Sequence, residues 1–110
     1  MKDKLYLSNI LESTRLINQY LKSKNACDLK DSVLLRDAVC KRIEEIGENI
    51  QKVSSKLKKL NPQIDWDAFV EARNFLTHVY QMINIQKLWG IAKRDIPKLE
   101  TEVKKILDLS

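Results

Sequence analysis

Apolar residues recur every three or four positions from Ser32 to Leu60, and this long stretch constrains the fold more than any other feature of the sequence. Side chains at that spacing share one face of an α-helix, so the pattern predicts a single helix of roughly 40 Å. The apolar positions are Leu35, Val39, Ile43, Ile46, Ile50, Val53, Leu57 and Leu60. We expect this helix to be the spine of a helical bundle.

A second amphipathic helix precedes the spine. Its apolar positions begin at Leu7 and keep helical spacing to Leu21, which predicts a helix that ends near Ser23. The following segment, "KSKNACDLKD", breaks the pattern and is predicted to be a loop. Pro62 ends the spine because proline cannot continue a helix and disfavours helical geometry at the residue before it.

Two further helices follow the segment "NPQIDW". Asp65 is placed to cap a third helix, predicted to run from Trp66 to about Met82. Asn84 is placed to cap a fourth helix, and Pro97 is predicted to bend or restart it.

Composition supports a helical fold. The 110 residues include only two glycines and two prolines, which leaves few of the turn residues that a sheet protein needs. A chain of this length can bury one core. We therefore predict an all-α fold, an antiparallel bundle of four main helices, with residues 1–110 forming a single domain.

Charge and cysteine content narrow the function classes. The net charge of +5 is compatible with a polyanionic partner, but lysines on solvated helices give the same balance. Cys27 and Cys40 form no CxxC motif and have no histidine nearby in sequence, so we expect no metal site and no cofactor. The N-terminal segment is interrupted by charged residues and resembles neither a signal peptide nor a membrane span, so a cytoplasmic protein is expected.

The segment "RNFLTHVY", residues 73–80, contains the single histidine of the chain. At about 100° per residue, its polar side chains project from one side of the third helix: Arg73, Asn74, Thr77, His78 and Tyr80. A plain amphipathic helix has the same segregation, so it does not by itself separate a site from a solvated surface.

Trp66 and Val70 lie on that same side, in line with Arg73 and Thr77. An aromatic and a β-branched residue there indicate that another helix or a second chain covers this side. Trp66, Val70 and Thr77 are therefore candidates for a dimer interface.

The chemistry of these side chains suits RNA cleavage. His78 can move a proton from a 2′-hydroxyl or to a leaving 5′-oxygen, and Arg73 can stabilise the charge of a pentacoordinate phosphorane. Asn74, four residues before His78, can orient the imidazole by a hydrogen bond. Transesterification ordinarily uses both a base and an acid, and a two-fold dimer would bring two copies of each residue to one cleft.

The ordinary interpretation is that His78 is a structural or surface residue, and the pattern on its own favours it. A comparison with a known motif favours a catalytic role for His78 instead. "RNFLTHVY" resembles the Arg-polar-x-x-x-His-x-Tyr motif of the HEPN superfamily, and the chain is similar to the HepT-like toxins in particular. The resemblance extends over nearly the whole chain, through "RDAVCKRIEEIGENIQKVS" with its Ile-Gly-Glu signature, "NPQIDWDAFVEARNFLTHVY" and "LWGIAKRDIPKLE".

The resemblance implies a metal-independent endoribonuclease that acts as a toxin, with Arg73 and His78 as the catalytic pair in a composite homodimer cleft. It also implies that a partner nucleotidyltransferase antitoxin silences the toxin by transferring AMP to Tyr80, within a dimer or a larger assembly. The sequence departs from the family at Val79, where an acidic residue is frequent, and in "QMIN" after Tyr80. The alternative function is a non-catalytic module that binds the nucleotidyltransferase, a nucleotide or RNA.

Gly47 also calls for an explanation. A glycine inside a long helix costs about 1 kcal/mol relative to alanine, so its retention needs a structural reason. We expect that it allows another helix to approach closely.

Overall fold

The computed structural model describes residues 2–78 and 84–109. Within these residues the chain is helical and contains no β-strand. The helices are α1 (Lys2–Tyr20), α2 (Ala26–Asp31), α3 (Val33–Lys52), α4 (Ser55–Leu60), α5 (Trp66–His78), α6 (Ile85–Gly90) and α7 (Ile96–Leu109), with a π-helical turn (Ile91–Asp95) between the last two. The prediction of an all-α bundle is confirmed.

Helix α3 lies at the centre, where it contacts both α1 and α5, and α1 also contacts α7. Helices α1 and α3 are antiparallel, since Asn9 bonds Asn49 while Asp3, nearer the start of α1, bonds Ser54 just after the end of α3. The buried apolar side chains of these helices form one core, which includes Leu7, Ile10, Ile17, Val39, Ile43, Ile46, Ile50, Leu76, Leu88, Ile96 and Val103. Among the described helices, none has the length and apolar character needed to cross a membrane.

The spine helix is shorter than predicted. It ends at Lys52 because Val53 and Ser54 adopt extended backbone geometry, with ψ of 139° and 149°. Ser54 then caps α4 by accepting a hydrogen bond from the backbone N–H of Leu57 at 3.2 Å. The Asp3 carboxylate accepts bonds from the backbone N–H and the hydroxyl of Ser54, at 2.9 and 2.6 Å. The prediction of one continuous helix was wrong because the cap and this long-range bond outweigh an apolar periodicity that continues through Leu57.

The predicted loop at residues 22–31 contains the short helix α2, so that prediction was wrong in part. Asn25 and Asp28 form a reciprocal capping box, in which each side chain accepts a bond from the backbone N–H of the other residue. Leu29 is fully buried, so this short helix also contributes to the core.

The other helix boundaries follow local signals. Asp65 accepts a bond from the N–H of Ala68 at 3.3 Å, and α5 begins at Trp66 as predicted. Asn84 caps α6 through the N–H of Lys87 at 3.1 Å. The predicted end of α5 at Met82 lies outside the described residues.

The predicted restart near Pro97 is confirmed, and it takes the form of a π-helical turn. Ile96 donates its backbone N–H to Ile91, five residues earlier, and α7 then begins with Pro97 in its first turn. Pro97 has no N–H to donate to the carbonyl of Lys93, so a regular α-helical ladder cannot run through this point.

Candidate functional site

Arg73 lies in the middle of α5, directly against Gly47 of α3. A Cβ atom added at Gly47 would lie 2.5 Å from Cβ of Arg73 and 3.1 Å from the backbone oxygen of Phe69. Such a distance to Cβ is far shorter than van der Waals contact, so only glycine allows the two helices to pack at this separation. This confirms that Gly47 serves a close helix approach, and it shows that the approaching residue is Arg73.

Among the described residues, the guanidinium of Arg73 contacts two polar groups. Its Nη1 donates to Oδ1 of Asn74 at 3.2 Å, and its Nη2 lies 3.7 Å from Oε1 of Glu48. The Arg73 side chain is 30% exposed and that of Glu48 is 46% exposed, so this ion pair lies at the edge of the α3–α5 contact. A guanidinium in such a position has a fixed stem and a charged end that reaches solvent, which is suited to binding a phosphate.

Asn74 is exposed and bonds to Arg73 in this structure. The sequence predicts a bond from Asn74 to His78 instead. His78 is the last described residue of α5, but its side chain lies outside the described atoms, so the Asn74–His78 bond stays a prediction. Tyr80, the predicted site of AMP transfer, and the neighbouring Val79 also lie outside the described residues.

Trp66 is covered by its own chain. It is only 7% exposed, and its Nε1 donates to the backbone oxygen of Asn61 at 3.1 Å. The sequence left open whether another helix or a second chain covers Trp66. The structure shows that its own chain covers it. Val70 is half-buried and packs against the same core, and the side chain of Thr77 lies outside the described atoms. The role of these three residues in a dimer interface stays a prediction.

Glu48 is the site residue that sequence reasoning missed. It follows Gly47 in the Ile-Gly-Glu signature, but the sequence alone gave it no role. Its pairing with Arg73 depends on how α3 and α5 are placed relative to each other, so no local sequence signal identifies it.

Helix α6 also reaches α5 close to the site. Nζ of Lys87 lies 4.3 Å from the ring centroid of Phe75, two residues after Arg73. A cation at this distance from an aromatic face is attracted by the ring quadrupole. The contact ties the start of α6 to the part of α5 that carries Arg73.

The two cysteines are not part of this candidate site. Cys27 is exposed, Cys40 is buried, and both are free thiols. Burial raises the pKa of the Cys40 thiol to about 11, so it is protonated and unreactive at neutral pH. The part of the chain that the structure describes has no group of three His, Cys, Asp or Glu side chains able to hold a metal ion.

Comparison with known proteins identifies the family. The sequence model of the family described as "Ribonuclease HepT-like" matches residues 10–106. The chain therefore belongs to the HepT-like ribonuclease family, within the HEPN superfamily.

Individual relatives agree with this assignment. A protein of Methanocaldococcus jannaschii named "Gamma-glutamylcyclotransferase and putative RNase" is 40% identical over 96% of this chain and 47% of its own length. A second protein of that organism, named "Putative RNase", is 32% identical over 91% of this chain and 92% of its own length. The "Probable ribonuclease HepT" of Thermococcus cleftensis is 30% identical over 92% of each chain. The chain thus spans about half of the first relative and nearly all of the other two. No solved structure gives a significant match.

Proposed function

We propose that this protein is a metal-independent endoribonuclease whose catalytic residues are Arg73 and His78. The observation that carries the proposal is the contact between α3 and α5, which holds a half-buried arginine five residues before the single histidine of a chain in the HepT-like family. The names of the relatives, which describe RNases, support the same reaction class.

The proposed reaction is a transesterification. The 2′-hydroxyl of one nucleotide loses its proton to a base and attacks the adjacent phosphorus, and the bond from phosphorus to the 5′-oxygen breaks. The leaving oxygen takes a proton from an acid, so the products carry a 2′,3′-cyclic phosphate and a 5′-hydroxyl. His78 is the proton-transfer group, Arg73 stabilises the phosphorane, and Asn74 orients its neighbours.

A composite site in a homodimer is part of the proposal. One imidazole can act as base or acid, so two chains arranged about a two-fold axis would supply both roles in one cleft. Val70 and Thr77 are the interface candidates that lie one turn to either side of Arg73, and Trp66 contributes only the small fraction of its surface that its own chain leaves exposed.

We further propose that the protein is the toxin of a toxin–antitoxin pair and that a nucleotidyltransferase partner silences it by transferring AMP to Tyr80. Tyr80 follows His78 by two residues in the sequence. A nucleotide attached there would add phosphate charge and bulk close to the catalytic pair, which would oppose RNA binding.

The test is cleavage of RNA by the purified protein in EDTA, with analysis of the product ends. We expect 2′,3′-cyclic phosphate ends, and a loss of at least about 100-fold in rate for Arg73→Ala and for His78→Ala, with an unchanged circular dichroism spectrum. Glu45→Ala is the control, because Glu45 pairs with Lys41 on α3 and not with Arg73. RNA binding without cleavage would instead identify a non-catalytic module, and full activity in His78→Ala would rule out the proposed mechanism.

A further inference from the structure

The described polar partners of Arg73 lie on two different helices. Asn74 is the next residue of α5, so it moves with Arg73 whenever α5 moves. Glu48 belongs to α3, and its carboxylate therefore ties the guanidinium to the central helix of the bundle. We propose that Glu48 is a positioning residue, which holds the Arg73 guanidinium in the orientation that receives the RNA phosphate. This inference rests on the ribonuclease function proposed above.

Steric contact fixes only the first part of the Arg73 side chain. The close approach of Gly47 confines Cβ and Cγ, since a Cβ at position 47 would lie 2.5 and 3.1 Å from them. The remaining bonds of an arginine side chain can still rotate, and the charged end needs its own restraint. Glu48, one residue after Gly47, supplies that restraint from the same helix.

The distance of 3.7 Å between Nη2 and Oε1 identifies an ion pair without a tight hydrogen bond. A guanidinium has five N–H donors, so it can interact with a carboxylate and a phosphate together. An ion pair of this kind orients the guanidinium while the phosphate approaches, and it does not have to dissociate during the reaction. Such positioning lowers the barrier because the donor is in place before charge develops on the phosphorane.

A carboxylate beside the arginine has one opposing effect, since it also repels the RNA phosphate. The two effects differ in their kinetic signature. Loss of a positioning group lowers kcat with little change in KM, whereas loss of a competing carboxylate lowers KM and raises kcat/KM.

The experiment measures kcat and KM for RNA cleavage in Glu48→Gln and Glu48→Ala, with Glu45→Ala as the matched control on α3. We expect kcat to fall on the order of 10-fold in Glu48→Ala with KM nearly unchanged. The fall should be smaller in Glu48→Gln, because the amide oxygen still presents partial negative charge to Nη2. Thermal unfolding of each variant establishes that the protein measured is folded.

A double-mutant cycle then tests whether Glu48 acts through Arg73. Arg73→Ala combined with Glu48→Ala should cleave no more slowly than Arg73→Ala alone, because the positioned group is already absent. Wild-type kcat in both Glu48 variants, a lowered KM with raised kcat/KM, or additive losses in the double variant would each overturn the inference. Absence of cleavage by the wild-type protein is a separate outcome, which overturns the proposed function itself.

Discussion

The two glycines of this chain differ in how closely other residues pack against them, although each has an ordinary helical backbone. At Gly47 an added Cβ would meet Cβ of Arg73 at 2.5 Å, whereas at Gly90 the nearest atom would be Nη2 of Arg94 at 3.7 Å. The first distance excludes a side chain and the second is normal van der Waals contact. Gly47 is therefore required by the contact between α3 and α5, whereas no contact with the described residues requires a glycine at position 90. The closer of the two approaches is the one that involves Arg73, a residue of the candidate site.

Replacement of Gly47 should have the largest effect on stability. Alanine would gain about 1 kcal/mol in helix propensity, but the overlap with Arg73 and Phe69 should cost up to about 3 kcal/mol, because Cβ and a backbone oxygen cannot rotate away. We expect Gly47→Ala to lower the free energy of unfolding by about 2 kcal/mol, measured by urea denaturation. An increase in stability would show that the helices can separate without cost.

Replacement of Gly90 should have the opposite sign and a smaller size. Gly90 has φ of −60° and ψ of −43°, which alanine adopts readily, and the space for a methyl group is present. Gly90→Ala should raise the free energy of unfolding by about 0.5–1 kcal/mol in the same urea experiment. If both glycine variants changed stability in the same direction, the contrast between the two positions would be lost.

The bond between Asp3 and Ser54 is a polar contact, in contrast to the steric contact at Gly47. Its loss should have the smallest effect on the free energy of unfolding. Hydrogen bonds from the Ser54 hydroxyl and N–H lower the pKa of Asp3 below its usual 3.8. A lowered pKa in the folded protein means that the stabilisation is complete above the unfolded pKa and is lost as the pH falls through the folded value. Because these bonds lie at the protein surface, where solvent screens them, we expect only about a few tenths of a kcal/mol.

Urea denaturation of Asp3→Asn at two pH values measures this effect. The variant should be slightly less stable than wild type at pH 7, and the difference should shrink at a pH below the lowered pKa of Asp3. A difference that stays constant across this range would show that ionisation of Asp3 plays no part.

The sequence predicted those parts of the structure that depend on neighbouring residues. The starts of α5 and α6 follow from Asp65 and Asn84, because a capping side chain bonds a backbone N–H within three residues. The end of α3 was not predictable in this way, since the break after Lys52 involves a bond between Ser54 and Asp3, which is distant in sequence.

The candidate site also has parts that depend on neighbouring residues and parts that depend on residues distant in sequence. Arg73 could be selected from a local motif, and the glycine at position 47 indicated that some helix approaches closely. Which residue approaches Gly47, and that Glu48 pairs with it, depends on the relative placement of α3 and α5. Residue spacing places Trp66 on the polar side of α5. Its ring nitrogen nevertheless donates to the backbone oxygen of Asn61 in the preceding turn, and helical periodicity cannot predict that contact.

The central claim is that the contact at Gly47 holds Arg73 in its working position for RNA cleavage. The most direct test is the cleavage rate of Gly47→Ala, measured well below its unfolding midpoint, beside that of Gly90→Ala. The claim predicts that folded Gly47→Ala cleaves RNA at least about 10-fold more slowly than wild type, because the displaced guanidinium no longer meets the phosphate, whereas Gly90→Ala cleaves at the wild-type rate. A folded Gly47→Ala protein with wild-type cleavage would contradict it.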